Sequence, residues 1–257
     1  MNMKLRHAMI FLSLIVTPGL ADAADLGSRQ RTFVRALEVF DAARSPRDYH
    51  ESAALLESLL ADGYRNGAVY YNLGNAYYRA GEYGRAIAAY RKAQPFRPRD
   101  PYLSANLRQA LAVAPGKLAE PPPPWWQHVF FWSGSLSFPE KAYGACAAFL
   151  LGALAVCSAV FLRKRIGHIL GLVMVALGLI LALDAALSYA DVSGSRRGVI
   201  TRETIVRKGI GKDYEPAFDQ PLKDGAEFTV LSENGDWLLG HFEGIGDGWL
   251  RREDTAL

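Results

Sequence analysis

Charge is nearly missing from one stretch of this chain. Of its 29 Lys and Arg and 26 Asp and Glu residues, only Arg163, Lys164, Arg165 and Asp184 fall between Ala142 and Leu187. Cysteine is scarce as well, and its two copies, Cys146 and Cys157, both lie in that same stretch. On a helix they share a face but stand about 16 Å apart along the axis, too far to bridge. A disulfide scaffold and a zinc site are thereby excluded. A net charge of +3 spread over the chain lacks the concentrated basic face that phosphate tracking requires, so nucleic acid is not an expected partner. The five histidines, His7, His50, His128, His168 and His241, are isolated and form no ligand pair. Gly209-Ile210-Gly211-Lys212 lacks the spacing, the hydroxyl residue and the following helix of a phosphate loop. With no nucleophile elbow and no dinucleotide fingerprint either, the expectation is no enzyme, no cofactor and no metal.

What is present begins with an export signal over residues 1–23. Lys4 and Arg6 precede an apolar run from Ala8 to Val16, Pro18 and Gly19 break it, and Ala21-Asp22-Ala23 offers a cleavage site. An uncleaved anchor is the alternative reading. Residues 142–162 carry no charge and match a hydrocarbon core of about 30 Å. Residues 166–187 supply a second span, and the basic turn 163–165 between them is costly to translocate. The positive-inside rule therefore puts the turn in the cytoplasm and both flanking regions outside, as the export signal requires. Small residues at Gly144, Ala148 and Gly152, and at Gly167 and Gly171, let backbones approach closely; they pack the two spans on each other or dock another membrane protein. Asp184, about a turn from the outer helix end, reads as reaching the headgroup region.

Residues 67–98 read GAVYYNLGNAYYRAGEYGRAIAAYRKAQPFRP. With Gly67 as position one, Tyr70, Leu73, Gly74, Tyr77, Ala86, Tyr90, Ala93 and Pro98 fall on the signature places of a tetratricopeptide repeat, which this segment resembles. Gly74 and Ala86 would let two antiparallel helices cross closely while Leu73, Tyr77 and Tyr90 fill the seam. A single repeat cannot bury its apolar face. Residues 32–61 supply a degenerate first repeat, and Asp100-Pro101 opens a capping helix through Leu103, Leu107 and Leu111, so the repeat domain spans 29–113. Pro95 departs from the family pattern and should end its helix early. Resemblance to this family implies a docking groove on the concave face, which maps onto Tyr71, Asn75, Tyr78 and Arg79, joined by Asn106 and Gln109. Solvation of a short scaffold is the plainer role for the same residues.

Residues 114–124 form a Pro-rich spacer, and 125–138 an aromatic segment with Trp125, Trp126 and Trp132 suited to a membrane interface. Residues 198–254 change to short β-rich runs divided by Gly, with Asn234-Gly235 marking a hairpin. Val206-Arg207-x-Gly209, Leu222-x-x-Gly225, Trp237 and Gly248-Trp249-Leu250 resemble a bacterial SH3-type barrel. Trp237 and Trp249 are expected to complete its core; the functional option is that they line a groove with Tyr214.

The expected fold class is therefore multidomain, α then β: a short tetratricopeptide solenoid, a two-helix transmembrane hairpin and a small SH3-like β-barrel. This order of modules, with NLGNAYYRAGEYGRAI and the GDGWL end, resembles the BatE-type proteins of bacterial aerotolerance operons. That resemblance implies an inner-membrane scaffold with periplasmic domains, working with von Willebrand A domain proteins and a MoxR-type ATPase in envelope stress. A barrel that grips peptidoglycan, with the repeats as spacer, is the alternative.

Overall fold

The computed structural model describes residues 20–119, 125–163, 165–193 and 197–257. Most of the export signal, the prolines at 121–124 and Lys164 of the basic turn lie outside the described residues. Three parts follow in order: a helical layer, an apolar helix pair and a curled antiparallel sheet.

The helical layer contains α1 (Leu20–Ala42), α2 (Pro46–Ala61), α3 (Gly67–Ala80), α4 (Tyr83–Ala93) and α5 (Pro101–Val113). Their ends are written locally. Asn66 Oδ1 accepts from Ala68 N and Val69 N at 2.9 Å each to start α3, and Gly81 closes it at φ +86°. Asp100 caps α5 by accepting from Tyr102 N at 2.9 Å, with Pro101 at the first helical position. Helix α4 stops at Ala93, two residues before Pro95. A Cβ on Gly74 would stand 2.5 Å from the Tyr90 ring, so glycine is what allows α3 and α4 to cross over that fully buried tyrosine. Leu56, Leu59, Val69, Leu73, Ile87, Leu103 and Leu107 fill the seam around it.

A short helix, α6 (Trp125–Val129), leads to α7 (Phe138–Leu162) and α8 (Arg165–Ser193). Both long helices are long and apolar enough to cross a bilayer. They lie against each other through small residues. A Cβ on Gly152 would stand 3.0 Å from Gly171 O, and one on Gly167 would meet Ala159 Cβ at 2.6 Å. Gly144 faces Leu181 and Ala148 is buried between the helices. Cys146 and Cys157 point outward.

Asp184 does not reach outward to headgroups. It is fully buried, and its Oδ1 accepts from Ser133 Oγ at 2.7 Å and from Lys141 Nζ at 3.2 Å. Lys141 also donates to Ser188 Oγ at 2.8 Å. The ammonium and the Ser133 hydroxyl both serve Asp184 Oδ1, while Oδ2 is buried with no hydrogen-bond partner among the described residues, so the pair compensates the buried carboxylate only in part.

The sheet contains β1 (Arg197–Ile200), β2 (Glu227–Asn234), β3 (Trp237–Phe242), β4 (Gly246–Arg251) and β5 (Thr255–Ala256), in the antiparallel order β4-β3-β2-β1-β5. A two-residue turn with Gly235 at φ +57° joins β2 to β3. The core is Ile200, Val206, Leu222, Phe228, Leu238, Phe242 and Leu250. Trp237 and Trp249 are not part of it. Leu238, Phe242 and Leu250 take the inward parity of β3 and β4, which leaves both tryptophans half-buried on the outer face.

Helices and sheet form one packed body. Val199 belongs to the helical core cluster and Ala256 packs against it. The first turn of α4 has no side-chain cap of its own; Asp224 from the sheet domain supplies one, accepting from Gly84 N at 3.0 Å. Burial, outweighing that bond, pushes the Asp224 carboxyl above its ordinary range. Arg91 grips Glu227 bidentately at 2.8 and 2.9 Å, with side chains only 14% and 11% exposed. Gly84 is the contact's steric requirement, because a Cβ there would lie 2.2 Å from Ile200 O and 2.4 Å from Asp224 Oδ1. The helical layer also meets the end of the helix pair opposite the basic turn. Phe138 N donates to Pro95 O at 2.8 Å, Arg99 pairs with Glu140, and the Phe96 and Phe138 rings are 6.1 Å apart.

Two outcomes are expected. Gly84→Ala should cost about 1–3 kcal/mol of sheet-to-helix docking, read as faster hydrogen exchange at Gly116 and Gly225, whose amides are bonded at this contact. Asp184→Ala should destabilise the helix pair by about 3–5 kcal/mol by stranding Lys141, whereas Asp184→Leu combined with Lys141→Met should recover most of it; thermal unfolding of the full chain in detergent measures both.

Candidate partner-docking site

Helices α3 and α5 present adjoining faces on which polar side chains meet. Asn75 sits five residues after the α3 capping turn ends at Tyr70, on the face opposite Leu73. Its Oδ1 accepts from the buried Tyr90 hydroxyl at 2.8 Å and from Asn106 Nδ2 of α5 at 2.9 Å. Asn106 Nδ2 also reaches the Tyr71 hydroxyl at 3.2 Å. Burial, then the neighbouring Tyr71 phenol, push Tyr90 well above the usual phenol range, so it stays a proton donor. The bonds fix both amide planes, and among the described residues Asn75 Nδ2 and Asn106 Oδ1 make no hydrogen bond, which leaves one donor and one acceptor on adjoining amides.

Of the six residues that sequence assigns to the groove, Tyr71, Asn75 and Asn106 are brought together. Tyr78 packs on Tyr83 with ring centroids 5.7 Å apart. Arg79 leans toward the first repeat, its Nε donating to the Tyr49 hydroxyl at 3.3 Å with the guanidinium 5.5 Å from that ring. Gln109 is exposed one turn beyond Asn106. Tyr90 and Arg97 also shape the face without having been assigned to it. Arg97 lies 4.7 Å over the Tyr71 ring while paired to Asp100 at 2.5 Å. The repeat pattern reserves position Tyr90 for core packing, so its hydroxyl's reach to Asn75 has no signal in spacing. Arg97 lies in the irregular stretch after Pro95.

The sheet-domain candidates are spread out. Trp237 pairs across from Arg251 and Trp249 from Leu239, so the tryptophans are diagonal neighbours on the outer face of β3 and β4. Tyr214 is 54% exposed and lies over Gly209. Among the described residues, no ring pair links Tyr214 with either tryptophan. Also among the described residues, no group of three or more His, Cys, Asp or Glu is placed to hold a metal ion.

Residues 39–101 match the tetratricopeptide repeat family. The match runs from the end of α1 to the start of α5 and covers α3 and α4 entirely. This family is a protein-interaction module without catalytic chemistry of its own. No curated protein and no solved structure matches the chain.

Proposed function

We propose that the chain is a membrane-anchored scaffold that docks a partner protein on the face built by Tyr71, Asn75 and Asn106. The observation that carries this reading is the pinned amide pair. A donor and an acceptor side by side, held by Tyr90, match the C=O and N–H of an extended peptide, which needs both satisfied when it leaves water. Ordering costs are already met by the Tyr90 and Tyr71 bonds, so little entropy is lost on binding. Tyr78, Arg79 and Gln109 extend the same face and supply further polar contacts. Confinement to a bilayer by α7 and α8 raises the effective concentration of any partner in the same membrane.

The basic turn, the export signal and the resemblance to BatE-type proteins together support a bacterial inner membrane, periplasmic outer domains and an SH3-like class for the curled sheet. It also supports von Willebrand A domain proteins and a MoxR-type ATPase system as companions in envelope stress. A second reading, peptidoglycan binding by the sheet domain, is favoured by one observation: Trp237 and Trp249 lie on an outer face instead of filling the core.

Replacing Tyr71, Asn75 and Asn106 together by Ala should reduce co-purification of von Willebrand A domain proteins from gently solubilised membranes by about tenfold or more, the worth of one or two lost hydrogen bonds. Unchanged recovery removes the groove assignment. Retention on purified sacculi that disappears with Trp237→Ala and Trp249→Ala supports the second reading instead.

A further inference from the structure

The side of the helical layer opposite the docking face holds a cavity of about 420 Å³. Leu60 of α2, Leu73 and Tyr77 of α3 and Ala89 of α4 line it, and residues 255–257 of the sheet domain close one side. Its volume is in the range of sites that take small organic molecules. Because its walls come from both parts, the cavity exists only while the sheet domain is seated on the helices.

Three charged side chains share this lining, and each is already engaged within the protein. The Tyr77 hydroxyl donates to the Glu57 carboxylate, Arg85 pairs with Glu82 at 3.2 Å and lies 5.5 Å from the Tyr77 ring, and Lys92 donates to the main-chain oxygen of Leu257. The Thr255 hydroxyl is spent as well, donating to Arg252 O at 2.8 Å. A charged ligand of either sign would give up its hydration for groups that are occupied, a cost without a matching gain.

Tyr70 is the exception in this lining. It is only 5% exposed, and among the described residues its hydroxyl makes no hydrogen bond. Burial, opposed by the nearby Arg65, holds its phenol above the ordinary range, so it stays a proton donor. A buried donor needs one acceptor. The site therefore offers apolar walls, spent charges and a single open hydrogen bond. It also stands close to the apolar helix pair: Tyr70 stacks on Phe96 and Phe96 packs on Phe138, the first residue of α7, with ring centroids 6.1 Å apart at each step. Water-insoluble molecules held in a bilayer are thus within reach of it.

We propose that this cavity binds an uncharged, mostly hydrocarbon molecule bearing one carbonyl oxygen, with that oxygen on the Tyr70 hydroxyl and the hydrocarbon against Leu60, Leu73 and Ala89. Such a ligand touches the helices and residues 255–257 together, so it holds the sheet domain down on the helical layer. The inference is independent of what occupies the docking face.

The test uses the full chain in phosphatidylcholine nanodiscs loaded with matched amounts of 2-undecanone, undecane or undecanoate, and reads hydrogen exchange at Gly84 and Gly116, whose amides are bonded to Asp224 across the contact. With 2-undecanone at about a hundred times its dissociation constant, exchange through undocking should slow about a hundredfold. Undecane should bind about fivefold more weakly, the worth of one hydrogen bond, and undecanoate more weakly than the ketone. Tyr70→Phe, which removes only the hydroxyl, should bring the ketone down to the level of the alkane and leave the alkane unchanged. Leu60→Trp, which fills the apolar end, should abolish protection by both. No protection by the ketone overturns the proposal. So does undecanoate protecting as strongly as the ketone, an unchanged response in Tyr70→Phe, or protection that persists in Leu60→Trp.

Discussion

The contact at the start of α4 is the constraint on which the arrangement depends. A helix N-terminus must have its free N–H groups satisfied, and here the cap comes from Asp224, 140 residues further along the chain. Glycine at position 84 permits the approach, and the Arg91–Glu227 pair, shielded from water, holds it laterally. None of these three elements acts alone. An apolar contact through Val199 and Ala256 supplies area, while the polar groups fix orientation, because a bidentate guanidinium–carboxylate pair tolerates little rotation. The sheet domain is thereby seated on the helical layer instead of trailing from the second apolar helix.

Seating the sheet there divides the helical layer into two sides with different chemistry. One side carries the amide pair of Asn75 and Asn106, pinned by Tyr90 and unencumbered by the sheet. The other is closed by residues 255–257 over a cavity floored by Tyr70, Leu73 and Tyr77, with Glu57, Arg85 and Lys92 in its lining. The same helix, α3, serves both: Tyr71 and Asn75 project to the first side, and Tyr70, Leu73 and Tyr77 to the second, as a period of 3.6 residues dictates. At its far end the layer rests on the apolar helix pair through Pro95, Phe96 and Phe138. There the buried Lys141–Asp184 pair ties both long helices to the segment before them.

Much of this was legible in the sequence where the physics is local. The repeat spacing encodes a close helix crossing, and the Gly74–Tyr90 contact is that crossing. A vacancy of charge between Ala142 and Leu187 marks the two apolar helices, and Asn234-Gly235 marks the hairpin. Legibility failed where a partner lies far along the chain. Nothing near Asp224 points to Gly84, and nothing near Asp184 points to Lys141, which stands just before the uncharged run. Trp237 and Trp249 were assigned to the core on residue type, yet β3 reads Trp-Leu-Leu-Gly-His-Phe, apolar on both parities at its start. Only pairing with β2 and β4 selects Leu238 and Phe242 as the inward set. In the docking face, sequence placed Tyr71, Asn75 and Asn106 on adjoining helices but carried no sign of the Tyr90 hydroxyl that fixes them.

The central claim is that the helical layer and the sheet domain move as one body. Spin labels on the exposed Arg108 of α5 and the exposed Asp236 of the β2–β3 turn, in the full chain reconstituted in nanodiscs, report their separation by pulsed dipolar spectroscopy. A single narrow distance distribution is the predicted result. A broad distribution that spans many separations would mean that the sheet domain is tethered and not seated, and would contradict the account.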